Sequence, residues 1–322
     1  MRIIKRTLLF CIFFYCADLA WAQPSNPFAI KDIPYKIFSN KDTVKLDLFL
    51  PKIQKFSKTP LVINIHGGAW VSGDKNIENY YYLRTLRDSL QGSGFALMSI
   101  NYRLLQSDIH LKDQVSDVYS ALEWLKNNFA NYNIDLDRVG VIGESAGAHL
   151  ALLLTYSDIE NPSADIKYIV DLFGPTDINQ LLRTRASWVL RTLFKWLKPD
   201  LFKFRNKLLL QMTQFDIRQN KKKVIETAAL YSPINYTAGK KKTPILIQHG
   251  TKDPIVPYKQ SIALKKKMDQ HGVENIFIKV PKANHGFTTT PKPELNKLVL
   301  ASLSFILKQN AAYTERISVI DQ

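Results

Sequence analysis

Between residues 138 and 154 two apolar runs of different kinds meet at a serine. Arg138-Val139-Gly140-Val141-Ile142 reads as a short buried strand, and His149-Leu150-Ala151-Leu152-Leu153-Leu154 as the opening of a buried helix. Gly143-Glu144-Ser145-Ala146-Gly147 joins them in the pattern G-x-S-x-G. A strand that turns at once into a helix needs glycines on both sides of the turn, because a Cβ there would clash. Such a turn lifts the Ser145 hydroxyl above a sheet edge and over a helix N-terminus, whose partial positive charge favours a developing anion. The pattern also arises by chance, so it carries weight only if the rest of the chain supplies a base, an acid and further anion-binding donors.

The flanking sequence supplies the sheet. Pro60–Ile65, Phe95–Ile100, Tyr168–Phe173 and Thr243–Gln248 are near-continuous apolar runs, the signature of strands buried on both faces of a parallel sheet. Asn275–Val280 reads as the last strand. Between them the spacing predicts helices over about 78–91, 112–129 and 258–271, with a final helix over about 293–309. An alternation of this kind specifies a parallel α/β sheet. Two short segments, Tyr35–Phe38 and Lys45–Leu50, read as an N-terminal hairpin at an exposed edge, because the second alternates polar and apolar residues. Residues 178–236 break the alternation. They hold no strand-like run but set Trp188, Leu190, Leu193, Phe194, Trp196 and Leu197 among arginines and lysines, which reads as a helical insertion capping the site. Its two tryptophans give it a surface suited to a lipid or an aryl group. Residues 311–322 read as a frayed tail.

Three strand ends carry the chemistry. His66-Gly67-Gly68-Ala69-Trp70 follows the first buried strand, and its paired glycines let backbone N–H groups point into a cavity. Asp253 follows the strand ending at Gln248, and His285 follows the last strand. Ser145, Asp253 and His285 thus all lie in loops after buried strands, where open parallel sheets bind ligands. In that arrangement His285 takes the serine proton, Asp253 fixes the imidazole, and the N–H groups of Gly67, Gly68 and Ala146 receive the oxyanion. Asp177 competes for the acid, and His66, His110, His149, His249 and His271 compete for the base. His285 is preferred because it alone follows the last strand and precedes the terminal helix, whereas His66 reads as a structural residue of its loop.

HGGAW at 66–70, NYRL at 101–104, GESAGAHLAL at 143–152, HGTKDPIVP at 249–257 and NHGF at 284–287 together resemble the α/β-hydrolase superfamily. Within it they resemble the esterase and lipase branch with an HGG loop, which includes hormone-sensitive-lipase-like and feruloyl- or acetyl-xylan-esterase-like enzymes. The resemblance covers about residues 35–310. It implies a mostly parallel central sheet flanked by helices with a helical cap, and a serine carboxylesterase needing no metal or organic cofactor. It further implies a small-molecule or carbohydrate ester as substrate, with Trp70 beside it and Glu144 in a structural role. Ala69 departs from the third glycine of many relatives. Amide-type hydrolysis, as in arylformamidases, uses the same residues and is the alternative. A non-catalytic binding protein on this fold would be expected to have lost one of the three residues.

Charge and the N-terminus bound the setting. The formal charge is +16, but the lysines fall in scattered short runs with no nucleic-acid motif, so no nucleic acid partner is expected. Residues 1–22 combine Arg2, Lys5 and Arg6, an apolar stretch over 7–15 and Ala20-Trp21-Ala22, the pattern of a cleaved signal peptide and too short for a stable membrane span. Cleavage would leave residues 23–322 as one α/β unit of charge +14 that lacks both cysteines, Cys11 and Cys16, and so can form no disulfide. Export to a bacterial periplasm or beyond follows. Neither the oligomeric state nor the natural acyl and alcohol groups are expressed in the sequence.

Overall fold

A computed structural model describes residues 28–159, 165–239 and 241–320; the expected signal peptide lies outside them. In chain order the main elements are β1 (Ala29–Ile37), β2 (Thr43–Phe49), β3 (Thr59–Ile65), α1 (Tyr81–Gly92), β4 (Ala96–Ile100), α2 (Leu111–Asn128), β5 (Ile134–Glu144), α3 (Ala146–Tyr156) and β6 (Ile169–Leu172). There follow α4 (Ile178–Leu181), α5 (Trp188–Leu197), α6 (Pro199–Thr213), α7 (Lys221–Leu230), β7 (Ile245–Gly250), α8 (Lys259–Gln270), β8 (Asn275–Val280) and α9 (Lys292–Ile320).

The strands form one eight-stranded sheet in the order β1-β2-β4-β3-β5-β6-β7-β8. From β4 to β8 every neighbour is parallel, while β1–β2 and β2–β4 are antiparallel. Every residue of β3, β4, β6 and β7 is buried, as their unbroken apolar runs require. One apolar core on each side of the sheet seats the helices: Leu122, Leu150 and Leu264 contribute to one, and Leu86, Leu90 and Ile306 to the other. Because β3, β5, β7 and β8 run the same way, the loops after them open at one edge. This shared edge brings residues from opposite ends of the chain together.

The N-terminal hairpin departs from expectation. β2 is an interior strand, paired on both sides, and β1 is the edge. The polar residue behind the misreading, Asp47, is 2% exposed and bridged to Lys31 at 3.0 Å and Lys75 at 2.8 Å. The last helix also continues to Ile320, past the limit near 309. No glycine or proline occurs after Pro293, and Ala311-Ala312 are strong helix formers.

Between β6 and β7 lie α4 to α7, with no strand among the described residues. α6 turns Leu208, Leu209 and Met212 into the core. α5 buries none of its residues, leaving Trp188 76% and Trp196 80% exposed. No helix among the described residues is long and apolar enough to cross a membrane.

Candidate active site

Ser145 sits between the last residue of β5 and the first of α3, at φ 51° and ψ −116°. A non-glycine residue at positive φ costs roughly 1–3 kcal/mol and persists only where its surroundings fix it. Here the Ser145 N–H is held by Leu172 O at 2.9 Å, and Ser145 O accepts the His149 N–H at 3.1 Å. The result is a residue only 9% exposed that still lines the cavities at the sheet edge.

The structure brings the three expected side chains into one chain of contacts. Ser145 Oγ lies 3.0 Å from His285 Nε2, and His285 Nδ1 lies 2.7 Å from Asp253 Oδ2. An ionised carboxylate only accepts, so Nδ1 carries the proton and Nε2 is left to accept from the serine hydroxyl. Asp253 Oδ1 takes the N–H groups of Ile255 at 2.8 Å and Val256 at 2.9 Å. Burial works to raise the Asp253 carboxyl, but hydrogen bonds from His249 and His285 outweigh it and hold the group well below the usual carboxylate range. It is therefore a fixed negative charge at neutral pH. Such a set can move a proton from a hydroxyl and stabilise the imidazolium that results.

Two supporting residues were not identified from the sequence. His249, weighed there only as a rival base, is fully buried and points Nε2 at Asp253 Oδ2, 3.1 Å away, while its Nδ1 accepts from Ser261 Oγ at 2.7 Å. Asp253 therefore has imidazoles on two sides. The four-residue step from His249 to Asp253 around one loop was the available signal. Phe173, itself at φ 48°, packs edge-on against the His285 ring with centroids 4.8 Å apart. Asp177, the rival acid, instead caps α4 by accepting the Gln180 N–H at 2.9 Å.

The loop 66–70 abuts Ser145: a Cβ on Gly67 would lie 3.4 Å from that of Ser145. Gly68 has φ +111°, and a Cβ there would fall 2.0 Å from Ser72 O, so only glycine fits. Ala69 and Trp70 follow at φ 51° and 64°. Ala69 thus holds, at a cost of roughly 1 kcal/mol, a conformation that glycine would take freely. Val71 and Ser72 donate back to Gly68 O, Leu105 N–H and Gln114 Nε2 both donate to Trp70 O, and Tyr102 Oη donates to His66 O. His66 itself stacks on Tyr102 and donates Nδ1–H to Gly67 O at 2.7 Å. Among the described residues no loop or turn hydrogen bond uses the N–H groups of Gly67, Gly68 or Ala146.

Trp70 is placed differently from a simple substrate contact. Only 3% of it is exposed, and its indole N–H donates to His149 Nδ1 at 3.3 Å, so it offers the cavity an apolar edge and no donor. His149 Nε2–H donates to Tyr231 O at 2.7 Å, which ties α3 to the segment after α7. Burial pulls the His149 imidazole down to about 4, against the hydrogen bond to Tyr231. In the unfolded chain it titrates near 6.5, so stability present at neutral pH is lost as pH falls from about 6.5 towards 4. Lowering the pH from about 7.5 to 5 is expected to remove about 2 kcal/mol through this residue alone. His149→Gln, which can keep one donor and one acceptor, should flatten the pH dependence of urea unfolding by that amount; an unchanged slope would contradict the assignment.

Ser145 lines at least two cavities among the described residues. One, of about 250 Å³, is lined by Gly67, Gly68, Asn76, Glu144 and His285, and burial pushes the Glu144 carboxyl up to about 7. The other, of about 360 Å³, runs under the helical segment and is lined by Trp70, Leu182, Phe194, Phe204, Arg205 and Ile255, among others. Among the described residues no group of three or more His, Cys, Asp or Glu could hold a metal ion.

Comparison with known proteins gives consistent relatives. The family model described as BD-FAE matches residues 46–268. Esterase LipQ of Mycobacterium tuberculosis is 25% identical over 269 residues, covering 80% of this chain and 56% of LipQ. The chain spans about half the length, or less, of the curated relatives it matches. Among solved structures, esterase B from Lactobacillus rhamnosis superposes with a TM-score of 0.70 at 21% identity, over 90% of this chain and 89% of that one. A truncated carbohydrate esterase from gut microbiota does so at 0.63 and 24% identity, over 88% of this chain and 96% of its own. At these identities the likeness establishes the shared α/β-hydrolase fold.

Proposed function

The chain belongs to the BD-FAE family, and from that premise we propose that it is a serine carboxylesterase that cleaves esters of short acyl groups through an acyl-enzyme. One observation carries the proposal: the unbroken path from Ser145 Oγ through His285 to Asp253, with contacts of 3.0 and 2.7 Å. Ser145 Oγ attacks the ester carbonyl carbon while His285 Nε2 takes its proton. The N–H groups of Gly67, Gly68 and Ala146 bind the resulting oxyanion, each such donor being worth roughly 10²–10³ in rate. The intermediate collapses as His285 returns the proton to the leaving alcohol. Water, deprotonated by the same nitrogen, then releases the acid from Ser145.

Two observations support the substrate class. The cavities at Ser145, about 250 and 360 Å³, suit short groups better than a long acyl chain. LipQ and both solved relatives are named as esterases, one of them a carbohydrate esterase. In this reading residues 178–236 cap the site within one α/β unit spanning 23–322. Residues 1–22 direct export to a bacterial periplasm or beyond; the exported protein should begin at Gln23, and a retained Met1 would contradict cleavage.

The test is a panel of 4-nitrophenyl acetate, acetylated xylan, a long-chain 4-nitrophenyl ester and N-formylkynurenine. The acetate ester should exceed the long-chain ester by at least about ten-fold in kcat/KM, a margin of about 1.4 kcal/mol. Preference for the long chain would overturn the short-acyl assignment, and turnover of the formamide alone would move the protein to the amide-hydrolysing class.

A further inference from the structure

The larger cavity at Ser145 ends in positive charge that no carboxylate pairs among the described residues. Residues 178–236 hold twelve Lys and Arg against three acids, a formal +9. Arg205, on α6, is 5% exposed. Its Nε donates to Leu182 O at 2.8 Å, one terminal nitrogen to Asn206 Oδ1 at 2.6 Å and the other to Arg183 O at 3.2 Å. All three acceptors are neutral, and they use three of the five N–H groups that a guanidinium carries. No carboxylate pairs with Arg183, Arg191 or Arg205 among the described residues. A buried cation is costly unless an anion meets it.

The neighbours add to that charge. Arg183 and Arg205 line both the cavity that reaches Ser145 and an adjoining one of about 240 Å³, whose wall also includes Arg191 and Lys198. Arg191 Nε is buried with no hydrogen-bond partner among the described residues. Burial, with the nearby Arg191 charge, lowers the Arg205 guanidinium to about 10, which still leaves it charged at neutral pH. Capping the end of α4 accounts for the two carbonyl contacts of Arg205. It does not account for three guanidiniums gathered away from any acid.

We propose that Arg183 and Arg205, with Arg191 beside them in the adjoining cavity, form a carboxylate-binding end of the Ser145 cavity, so that the preferred ester carries a carboxylate on the part that lies under the helical segment. The guanidinium fork matches a carboxylate with two parallel N–H···O bonds, and the apolar wall of Leu182, Phe194 and Phe204 would carry the linking carbons. This rests on the esterase reading given above.

Two pairs of esters test it, with the charge on the acyl side or on the alcohol side: monomethyl glutarate against methyl valerate, and 4-acetoxybenzoate against phenyl acetate. In at least one pair the anionic ester should have kcat/KM at least about ten-fold higher, the return from one charge-assisted hydrogen bond in a buried site. Arg205→Met, and separately Arg191→Gln, should each cut that anionic-to-neutral ratio at least about five-fold. The ratio is the readout, so a general loss of folding does not imitate the result, and Arg191→Gln stands in if Arg205→Met does not fold. A binding arm needs no turnover: in at least one pair the anionic ester should bind the Ser145→Ala protein at least about ten-fold tighter than its neutral partner. Neutral esters hydrolysed as well as anionic ones in both pairs, a ratio unmoved by the variants, or equal binding of anionic and neutral esters in both pairs would each overturn the carboxylate site while leaving the esterase intact. No hydrolysis of any of the four, with an anionic ester still bound selectively over its neutral partner, would overturn the esterase reading and leave the carboxylate site standing.

Discussion

Ser145→Ala is expected to lower kcat on 4-nitrophenyl acetate by on the order of 10⁶-fold while leaving the fold in place. The loss is large because no other hydroxyl is hydrogen-bonded to His285 Nε2 among the described residues, and the reaction has no alternative oxygen to acylate. Residual turnover of about 10³ over water would come from cavity and oxyanion donors acting on a bound water. The fold should survive because alanine takes the same φ of 51° at the same cost, and the Oγ bond removed is a single one that water in the cavity can replace. Thermal melts should therefore agree within a few degrees, the shift that about 1 kcal/mol produces. Combining Ser145→Ala with His285→Ala should cost little more than either alone, since the two act as one unit. A Ser145→Ala protein that keeps turnover within ten-fold of the parent would end the nucleophile assignment.

The largest stability effect is expected at Gly147. This residue lies in the first turn of α3, and a Cβ there would fall 2.0 Å from Ile65 O and 2.5 Å from His66 O. Both atoms are backbone, one at the end of a strand paired on either side and the other in the residue after it, so neither can yield by rotating a side chain. The helix cannot tilt away, because all eleven of its residues are buried. Gly147→Ala should therefore cost more than about 4 kcal/mol, an unusually large value for one methyl group and much of a typical domain's total stability. Urea unfolding should show the midpoint collapse, or the protein should fail to accumulate in soluble form. Gly92→Ala is the control: no atom lies within 4 Å of a Cβ there, and stability should change by less than about 1 kcal/mol. Equal behaviour of the two variants would contradict the tight seating of α3 under the nucleophile.

The sheet was legible in the sequence because parallel strands buried on both faces leave unbroken apolar runs, and β3, β4, β6 and β7 all do. Ser145, Asp253 and His285 were legible for a related reason: each follows such a run, and parallel strands send their C-terminal loops to one edge. What escaped depends on contacts between segments distant in the chain. Asp47 looked like the polar face of an edge strand until Lys31 and Lys75 closed over it. Trp70, expected beside the substrate, has its indole N–H turned to a partner 79 residues away, His149. His249 could be told from a rival base only once the loop after β7 folded Asp253 back onto it. The end of the last helix escaped for a simpler reason, since nothing after Pro293 marks a stop.

The bare surface of α5 has a thermodynamic consequence. A helix of ten residues is marginal in water on its own, and this one draws on a Ser187 cap and a Phe194–Phe202 ring contact but on no buried residue. Its opening free energy should therefore sit near the bottom of the molecule's range, with amides exchanging in seconds while those of β3 and β5 wait for global unfolding. Arg191 lies on this helix, so any ligand that engages it must also supply the ordering entropy of α5. Affinity at that end of the cavity would then be set partly by how rigid the helix already is, and protection of the α5 amides would report occupancy without any chemistry taking place.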